Sequence, residues 1–284
     1  MRTSSIVRLL IAAVLLGGVW VAYTFQGPPA SKLDTHKIAN DMYVIHNDVV
    51  PGNTTVLVTN EGVILVDDKF PSDVDNVLAE VKKITSQPVK YVVNTHHHFD
   101  HSGGNAKLQM MGVQAVSSEH ARQYMIDGKQ PGLSNVTFDD HMHLHVGGKD
   151  VELYYFGKSH TGGDIVAYFP AERVISMGDM FTFGDATPEL IDYAGGGSAK
   201  EWTATVDRAL KLDFDVVVPG HGLVTNKAEL VKFRASTVDL RNKVHAMMVA
   251  KNSRADIEKM LRSDFHFGDL HVGASLDGLM AELR

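Results

Sequence analysis

The chain has 284 residues, enough for one large domain or two small ones, and its composition is ordinary, with 44% hydrophobic and 21% charged residues. Its net charge of −7 argues against a protein whose main role is to bind nucleic acid, because phosphate contacts need an excess of Lys and Arg. The absence of cysteine excludes disulfides, thiolate metal sites and a cysteine nucleophile, so any metal ion must be bound by imidazole and carboxylate groups.

The first 30 residues differ from the rest of the chain, because a short positive segment is followed by an apolar run. Arg2 and Arg8 precede residues 9–25, which carry no charge. This pattern predicts a signal peptide or an uncleaved membrane anchor, with a buried N-terminal helix as the alternative. It also predicts that the folded part of the chain is periplasmic or secreted, with membrane contact only through the apolar run. Residues 1–30 are therefore expected to lie outside the folded domain, which would span residues 31–284.

Strands and helices alternate along the remainder of the chain. Short runs rich in Val, Ile and Tyr, bounded by turn residues, predict strands at residues 42–47, 53–60, 62–68, 89–94, 113–118, 141–148, 150–157, 164–170, 173–179 and 214–220. Apolar residues at helical spacing predict helices at residues 72–85, 106–111, 119–126, 198–210, 230–249 and 254–261, with most of the chain from about 226 helical. This order predicts an α/β fold with two sheets and outer helices.

Several predicted strands end in a side chain that can bind a metal ion. The segment NTHHHFDHSGGN, residues 94–105, follows one strand and holds four histidines and one aspartate within six positions. Other strands end at Asp67 and Asp68, His160, Asp179 and His221. A polar residue at one strand end is usually a turn former, but strand ends also converge at one edge of α/β proteins. The combined pattern therefore predicts a metal site at that edge.

The histidine-rich segment can be interpreted from side-chain direction alone. His96 and His98 are two residues apart, so in an extended segment both side chains point the same way and can bind one ion. His97 would point away and is expected either to be structural or to contact the metal ligands rather than the ion. Asp100 and His101 follow where the chain bends, within reach of a second ion.

The pattern H-x-H-x-D-H of residues 96–101 resembles the metal signature of the metallo-β-lactamase superfamily. The likeness covers about residues 35–235 and continues in order through GVILVDD, SHTGGD, SMGD and PGHG, which carry Asp67, His160, Asp179 and His221. The resemblance implies a four-layer αββα sandwich (the metallo-β-lactamase fold) that follows the N-terminal apolar segment. It also implies a two-metal site in a cleft at one edge of the β-sandwich.

Carried over residue by residue, the resemblance implies a first metal ion bound by His96, His98 and His160. A second ion would be bound by Asp100, His101 and His221, with Asp179 bridging both. Asp100 is also expected to be catalytic, because it is placed to handle a proton. Three histidines on one ion fit zinc, with iron or manganese as alternatives.

The resemblance further implies an exported hydrolase in which a hydroxide bridging two zinc ions attacks the carbonyl of a small ester, thioester, lactone or lactam. Asp179 favours the thioesterase, lactonase and phosphodiesterase branches, because true β-lactamases of the superfamily usually have cysteine or serine there. The predicted export favours a true β-lactamase acting on β-lactam antibiotics, which is the first alternative. The second is a persulfide dioxygenase with one iron, and the third is a degenerate fold that only binds metal or partners.

Four further features have no place in these motifs. His141, His143 and His145 alternate along one strand and predict a solvated strand face, with a second metal site as the alternative. The segment 180–202 holds four aromatic residues and is expected to line the cleft rather than form a local core. The C-terminal helices are expected to cover the domain, with a dimer face as the alternative, which leaves the oligomeric state open. The remaining histidines without motif context are expected at the surface, namely His120, His245, His266 and His271.

Overall fold

The computed structural model describes residues 31–47, 50, 52–184 and 190–284. The predicted signal or anchor segment, residues 1–30, lies outside these described residues. Within the described part of the chain, no helix is both long enough and apolar enough to cross a membrane.

The first sheet contains seven strands in the order in which they occur along the chain. Its antiparallel part consists of β1 (Asp34–Ala39), β2 (Met42–His46), β3 (Thr54–Val58) and β4 (Val63–Val66). Its parallel part adds β5 (Val89–Val93), β6 (Gln114–Ser118) and β7 (Val136–Phe138) beside β4. All four residues of β4 are buried, because both faces of the sheet are covered.

Parallel strands require crossover connections, and four helices supply them in the first half of the chain. These are α1 (Val74–Ile84), α2 (Phe99–Ser102), α3 (Asn105–Met110) and α4 (Glu119–Asp127). Val74, Val77 and Val81 are buried on one face of α1, at the helical spacing that the sequence predicted. The Ser118 hydroxyl accepts a hydrogen bond from the Ala121 N–H and thereby caps α4.

The second sheet contains six strands in the spatial order β13-β12-β11-β10-β9-β8. They are β8 (His141–Val146), β9 (Lys149–Tyr154), β10 (Val166–Phe169), β11 (Val174–Ser176), β12 (Val216–Val218) and β13 (Thr225–Asn226). Only β11 and β12 pair in parallel, and α5 (Ala199–Ala209) lies between them in the chain.

Three helices follow the second sheet: α6 (Lys227–Val249), α7 (Arg254–Asp264) and α8 (Asp269–Glu282). The sequence predicted that α6 begins at residue 230, but the helix begins three residues earlier because the Asn226 side chain caps it. A capping box at Ser253 and Asp256 starts α7 where the sequence predicted.

Three apolar clusters hold the layers together. One fills the space between the sheets and includes Leu57, Ile64 and Phe169. A second lies between the first sheet and α1, and a third lies between the second sheet and the helices α5 to α8. The predicted α/β sandwich of two sheets with outer helices is therefore confirmed.

Candidate metal centre

The candidate centre lies where strands of both sheets end. The parallel strands β4 and β5 lead into Asp67 and the histidine-rich segment, and the parallel strands β11 and β12 lead into Asp179 and His221. The Asp179 carboxylate lies 3.2 Å from Nε2 of His101, which shows that the two sets of strand ends meet. Parallel strand ends meet at one edge of a sheet, as the sequence analysis assumed.

The first group of donor atoms consists of His96, His98, His160 and Asp179, with one donor atom from each within 4.8 Å of the others. Nδ1 of His98 and Nε2 of His160 are 3.0 Å apart. The Asp179 Oδ2 atom is 3.6 Å from the same His160 nitrogen and 4.0 Å from Nε2 of His96. The three histidines predicted for the first ion therefore lie together.

The second group consists of Asp100, His101 and His221. Nε2 of His101 and Nε2 of His221 are 3.3 Å apart, and Oδ2 of Asp100 is 3.3 Å from the latter. Asp179 reaches this group as well, since its Oδ2 atom is 3.4 Å from Nε2 of His221. The structure therefore brings all seven predicted residues together, with Asp179 between the two groups, and their roles as ligands stay a prediction.

The chemistry of these groups fits a pair of metal cations. Nε2 of His96 is buried and has no hydrogen-bond partner among the described residues, although three other donor atoms surround it. Burial, together with the His101 and His98 imidazoles, holds the pKa of His96 well below its usual value, so this ring is neutral, as a metal ligand must be. A buried nitrogen without a partner is costly, and a cation among these imidazole and carboxylate donors would satisfy it.

The carboxylates of the centre are ionised. Burial raises the pKa of Asp179, but the facing imidazoles of His221 and His101 outweigh it and hold that pKa well below its usual range. Burial opposes a charge on His221, but Asp179 and Asp100 raise its pKa to about 10. The negative charge of the two carboxylates is thus available to a bound cation, which would displace the proton of His221.

Asp67 fixes the direction of His101. Its carboxylate accepts hydrogen bonds from the Thr95 N–H (2.7 Å) and hydroxyl (2.8 Å), and from Nδ1–H of His101 (2.7 Å). This leaves Nε2 of His101 facing the centre. Asp67 has a positive φ of 63°, a backbone conformation that residues other than glycine adopt less readily. The sequence matched Asp67 to the family motif but gave it no role.

Asp192 is a site residue that the sequence analysis did not identify. Its carboxylate accepts a hydrogen bond from Nε2–H of His98 (2.8 Å) and another from the Gly195 N–H (2.9 Å). Two residues earlier, the Leu190 carbonyl accepts from Nδ1–H of His160 (2.8 Å). The hydrogen bond to His98 and the one to His160 each select the histidine tautomer whose other ring nitrogen faces the centre. The only sequence signal was the position of Asp192 in a long segment after Asp179.

The β2–β3 connection supports the other side of the centre. A Cβ atom on Gly52 would lie 2.2 Å from Cε1 of His101, so only glycine fits there. The buried Lys69 ammonium donates to the Gly52 carbonyl (2.5 Å) and to the Asn47 side chain (2.7 Å). The Asn53 side chain donates to the carbonyls on both sides of the His221 turn, those of Pro219 and Gly222.

His97 lies outside the two main groups, as the sequence predicted. Its ring stacks on Tyr124 with a centroid distance of 5.0 Å, and its carbonyl accepts from Gln130. Burial lowers the pKa of His97 to about 3. Its Nε2 atom is 4.0 Å from Oδ2 of Asp192, and His97, His98 and Asp192 form a third cluster that shares only His98 with the first group.

The structure decides several predictions outside the motifs. The three histidines of β8 are exposed while Met142 and Leu144 point inward, which confirms the solvated strand face. The four aromatic residues of segment 180–202 pack in or against the cluster between the second sheet and the helices α5 to α8, so they belong to a shared core and not to a local one. That they also line the cleft stays a prediction. The surface prediction for His271 is wrong, because it is half-buried on α8. Burial, and to a smaller degree the His160 imidazole, lowers its pKa to about 4.

Comparisons with known proteins point to one family. The family model described as "Metallo-beta-lactamase superfamily" matches residues 47–221. The chain is 29% identical over 191 residues to a metallo-beta-lactamase type 2 of Bacillus cereus, covering 65% of this chain and 72% of the relative. It is 26% identical over 205 residues to one of Elizabethkingia meningoseptica, covering 69% of this chain and 80% of the relative.

Solved structures agree in fold. A metallo-beta-lactamase from Pontibacter korlensis superposes with a TM-score of 0.66 at 25% identity, covering 72% of this chain and 99% of that one. The DIM-1 metallo-beta-lactamase superposes with a TM-score of 0.65 at 20% identity, covering 75% of this chain and 98% of that one. The family model spans more than half of the chain and includes every residue of the candidate centre. The chain therefore belongs to the metallo-β-lactamase superfamily.

Proposed function

We propose that the chain is a metal-dependent hydrolase that binds two zinc ions and hydrolyses a small ester, thioester, lactone or lactam at its carbonyl carbon. The observation that carries the proposal is the pair of donor groups with Asp179 between them. Three histidines in the first group fit zinc, and a second complete group beside it favours two ions over one. When bound, such a pair would acidify a shared water and polarise the substrate carbonyl.

Residues around the two donor groups would hold the histidine ligands in fixed orientations. Asp67, Asp192 and the Leu190 carbonyl hold one nitrogen each of His101, His98 and His160, so the opposite nitrogens stay directed at the centre. Oδ2 of Asp100 lies 3.3 Å from Nε2 of His221, and the Asp100 side chain is one-fifth exposed, so solvent reaches it. We assign Asp100 a second role, transfer of a proton to the leaving group.

The substrate class is argued from Asp179 and from the relatives. The two curated relatives described above are named metallo-beta-lactamases, which favours a true β-lactamase as the second candidate function. An aspartate at position 179 favours instead the thioesterase, lactonase and phosphodiesterase branches that the sequence resemblance implied. We give the general hydrolase precedence, because identity below 30% leaves room for a different substrate.

A hydrolysis panel would test the proposal. The zinc-loaded protein would be given a chromogenic cephalosporin, an acyl-homoserine lactone, a glutathione thioester and an aryl phosphodiester. Cleavage of lactone or thioester without lactam turnover would support the general hydrolase, and efficient cephalosporin cleavage would make the chain a β-lactamase. Failure on all four substrates by a chain that holds zinc would contradict both. Asp179→Ala, which removes the shared carboxylate, is the negative control.

Export is a separate part of the proposal and rests on residues 1–30. Their positive start and apolar run favour a signal peptide or an anchor that places the catalytic domain in the periplasm or outside the cell. Fractionation of cells expressing the full chain would test this. Protein in the cytosolic fraction alone would contradict it.

A further inference from the structure

The C-terminal helix α8 lies far along the chain from the residues of the metal centre, which end at His221, yet it packs directly against the loop that carries Asp192. Ser275 of α8 is fully buried. Its hydroxyl accepts a hydrogen bond from the Ile191 N–H (3.0 Å) and donates one to the Ile191 carbonyl (3.2 Å). A single side chain thus binds both main-chain polar groups of a buried residue.

Ile191 lies between the two residues that hold the histidines of the first group. The Leu190 carbonyl accepts from Nδ1–H of His160, and the Asp192 carboxylate accepts from Nε2–H of His98, each at 2.8 Å. The opposite nitrogens of these two rings lie 3.0 Å apart at the centre. A shift of the Ile191 main chain would therefore move both acceptors and rotate both rings.

Two more residues of α8 hold the next part of this loop. A Cβ atom on Gly278 would lie 2.1 Å from Cδ2 of Tyr193, so the absence of a side chain lets the helix lie against this ring. The Tyr193 hydroxyl donates to Glu282 (2.7 Å). Spacings of three and four residues place Ser275, Gly278 and Glu282 on one face of the helix. The contact is therefore a continuous helix face against the loop.

We infer that α8 is a positioning element for the first metal site, and that Ser275 sets the direction of His98 and His160 through the main chain of Ile191. The inference rests on the proposed function in so far as these two histidines bind a metal ion. It assigns to the C-terminal helix a role beyond covering the domain. The helix would fix the ligand geometry that a rigid site needs.

Two variants on this helix face would test the inference. Ser275→Ala removes both hydrogen bonds to Ile191. Gly278→Ala pushes against Tyr193 but favours the helix itself, so it keeps the test valid if the first variant does not fold. Thr237→Val is the matched control, because it removes a buried hydroxyl that bonds Thr203 (2.8 Å) between α5 and α6, away from the loop.

The readouts are zinc affinity by competition with a chromophoric chelator, the ligand-field spectrum of the cobalt-substituted protein, and thermal unfolding of the metal-free protein. We expect Ser275→Ala and Gly278→Ala to weaken one of two zinc-binding steps by about tenfold and to change the cobalt spectrum. Thr237→Val should leave both unchanged. Wild-type zinc affinity and cobalt spectra in the two α8 variants would overturn the inference, as would an equal loss in Thr237→Val. A wild-type chain that binds no zinc would instead refute the proposed function.

Discussion

Replacing the buried Lys69 with methionine should change how the stability of the metal-free protein depends on pH. Burial lowers the pKa of Lys69 from 10.5 to about 7, despite the opposing charges of Asp73, Asp67 and Asp100. The folded state therefore binds fewer protons than the unfolded state between pH 7 and 10.5. In this window the free energy of unfolding of the wild type therefore increases as pH rises, and Lys69 alone contributes about 1.4 kcal/mol per pH unit.

The difference between the pKa of Lys69 in the unfolded and in the folded state corresponds to roughly 5 kcal/mol. Below pH 7, where Lys69 is charged in both states, the folded state is destabilised by this full amount. Methionine has a side chain of similar length and no titrating nitrogen. Lys69 has a φ of 66°, and methionine would carry a similar backbone strain, so strain largely cancels in the comparison. The free energy of unfolding of the wild type minus that of Lys69→Met therefore isolates how the Lys69 ammonium contributes to the pH dependence.

Denaturant unfolding in EDTA at pH 7.5, 8.5 and 9.5 would measure this difference. We expect the free energy of unfolding of the wild type, minus that of Lys69→Met, to rise by about 2 to 3 kcal/mol over the series. Lys149→Met is the control, since Lys149 pairs with Glu172 and Asp41 and these raise its pKa. The control difference should stay flat. A flat difference for Lys69 as well would show that its ammonium is charged throughout, and would refute the reasoning.

Three other predictions concern the metal centre. Asp192→Asn removes the carboxylate that accepts from His98 and should weaken zinc binding by about 10- to 100-fold, measured by chelator competition; unchanged affinity would contradict its role. Gly52→Ala would place a Cβ atom 2.2 Å from Cε1 of His101 and displace this ring, so metal analysis should find one zinc ion per chain in place of two. Two zinc ions in the variant would show that the loop around Gly52 moves and His101 does not. Replacing the three exposed histidines of β8 with glutamine should leave zinc content and hydrolysis unchanged, and a lost zinc ion would reveal a surface site.

The fold and most of the centre could be predicted from local sequence, because each feature is set by neighbouring residues. Apolar β-branched runs ending in His or Asp marked the strand ends, and the structure brings those ends to one edge. The spacing of His96 and His98 follows from the alternation of side chains in extended chain. The early start of α6 at Lys227 was missed, because Asn226 acts both as a strand residue and as a cap.

The supporting residues could not be predicted, because their partners are far away in the chain. Asp192 lies 94 residues from His98, and Ser275 lies 84 residues from Ile191. Nothing near Lys69 in the sequence indicates that its ammonium is buried and bonded to the β2–β3 connection. His271 is partly buried beside Phe267, with a ring-centroid distance of 5.7 Å, and no local apolar pattern in the sequence indicates this burial.

The most direct test of the account is the zinc content of the wild-type protein at equilibrium with buffered free zinc, measured by elemental analysis against protein concentration. The account predicts two zinc ions per chain, one for each donor group. A chain that binds one ion or none under these conditions would contradict the two-metal centre.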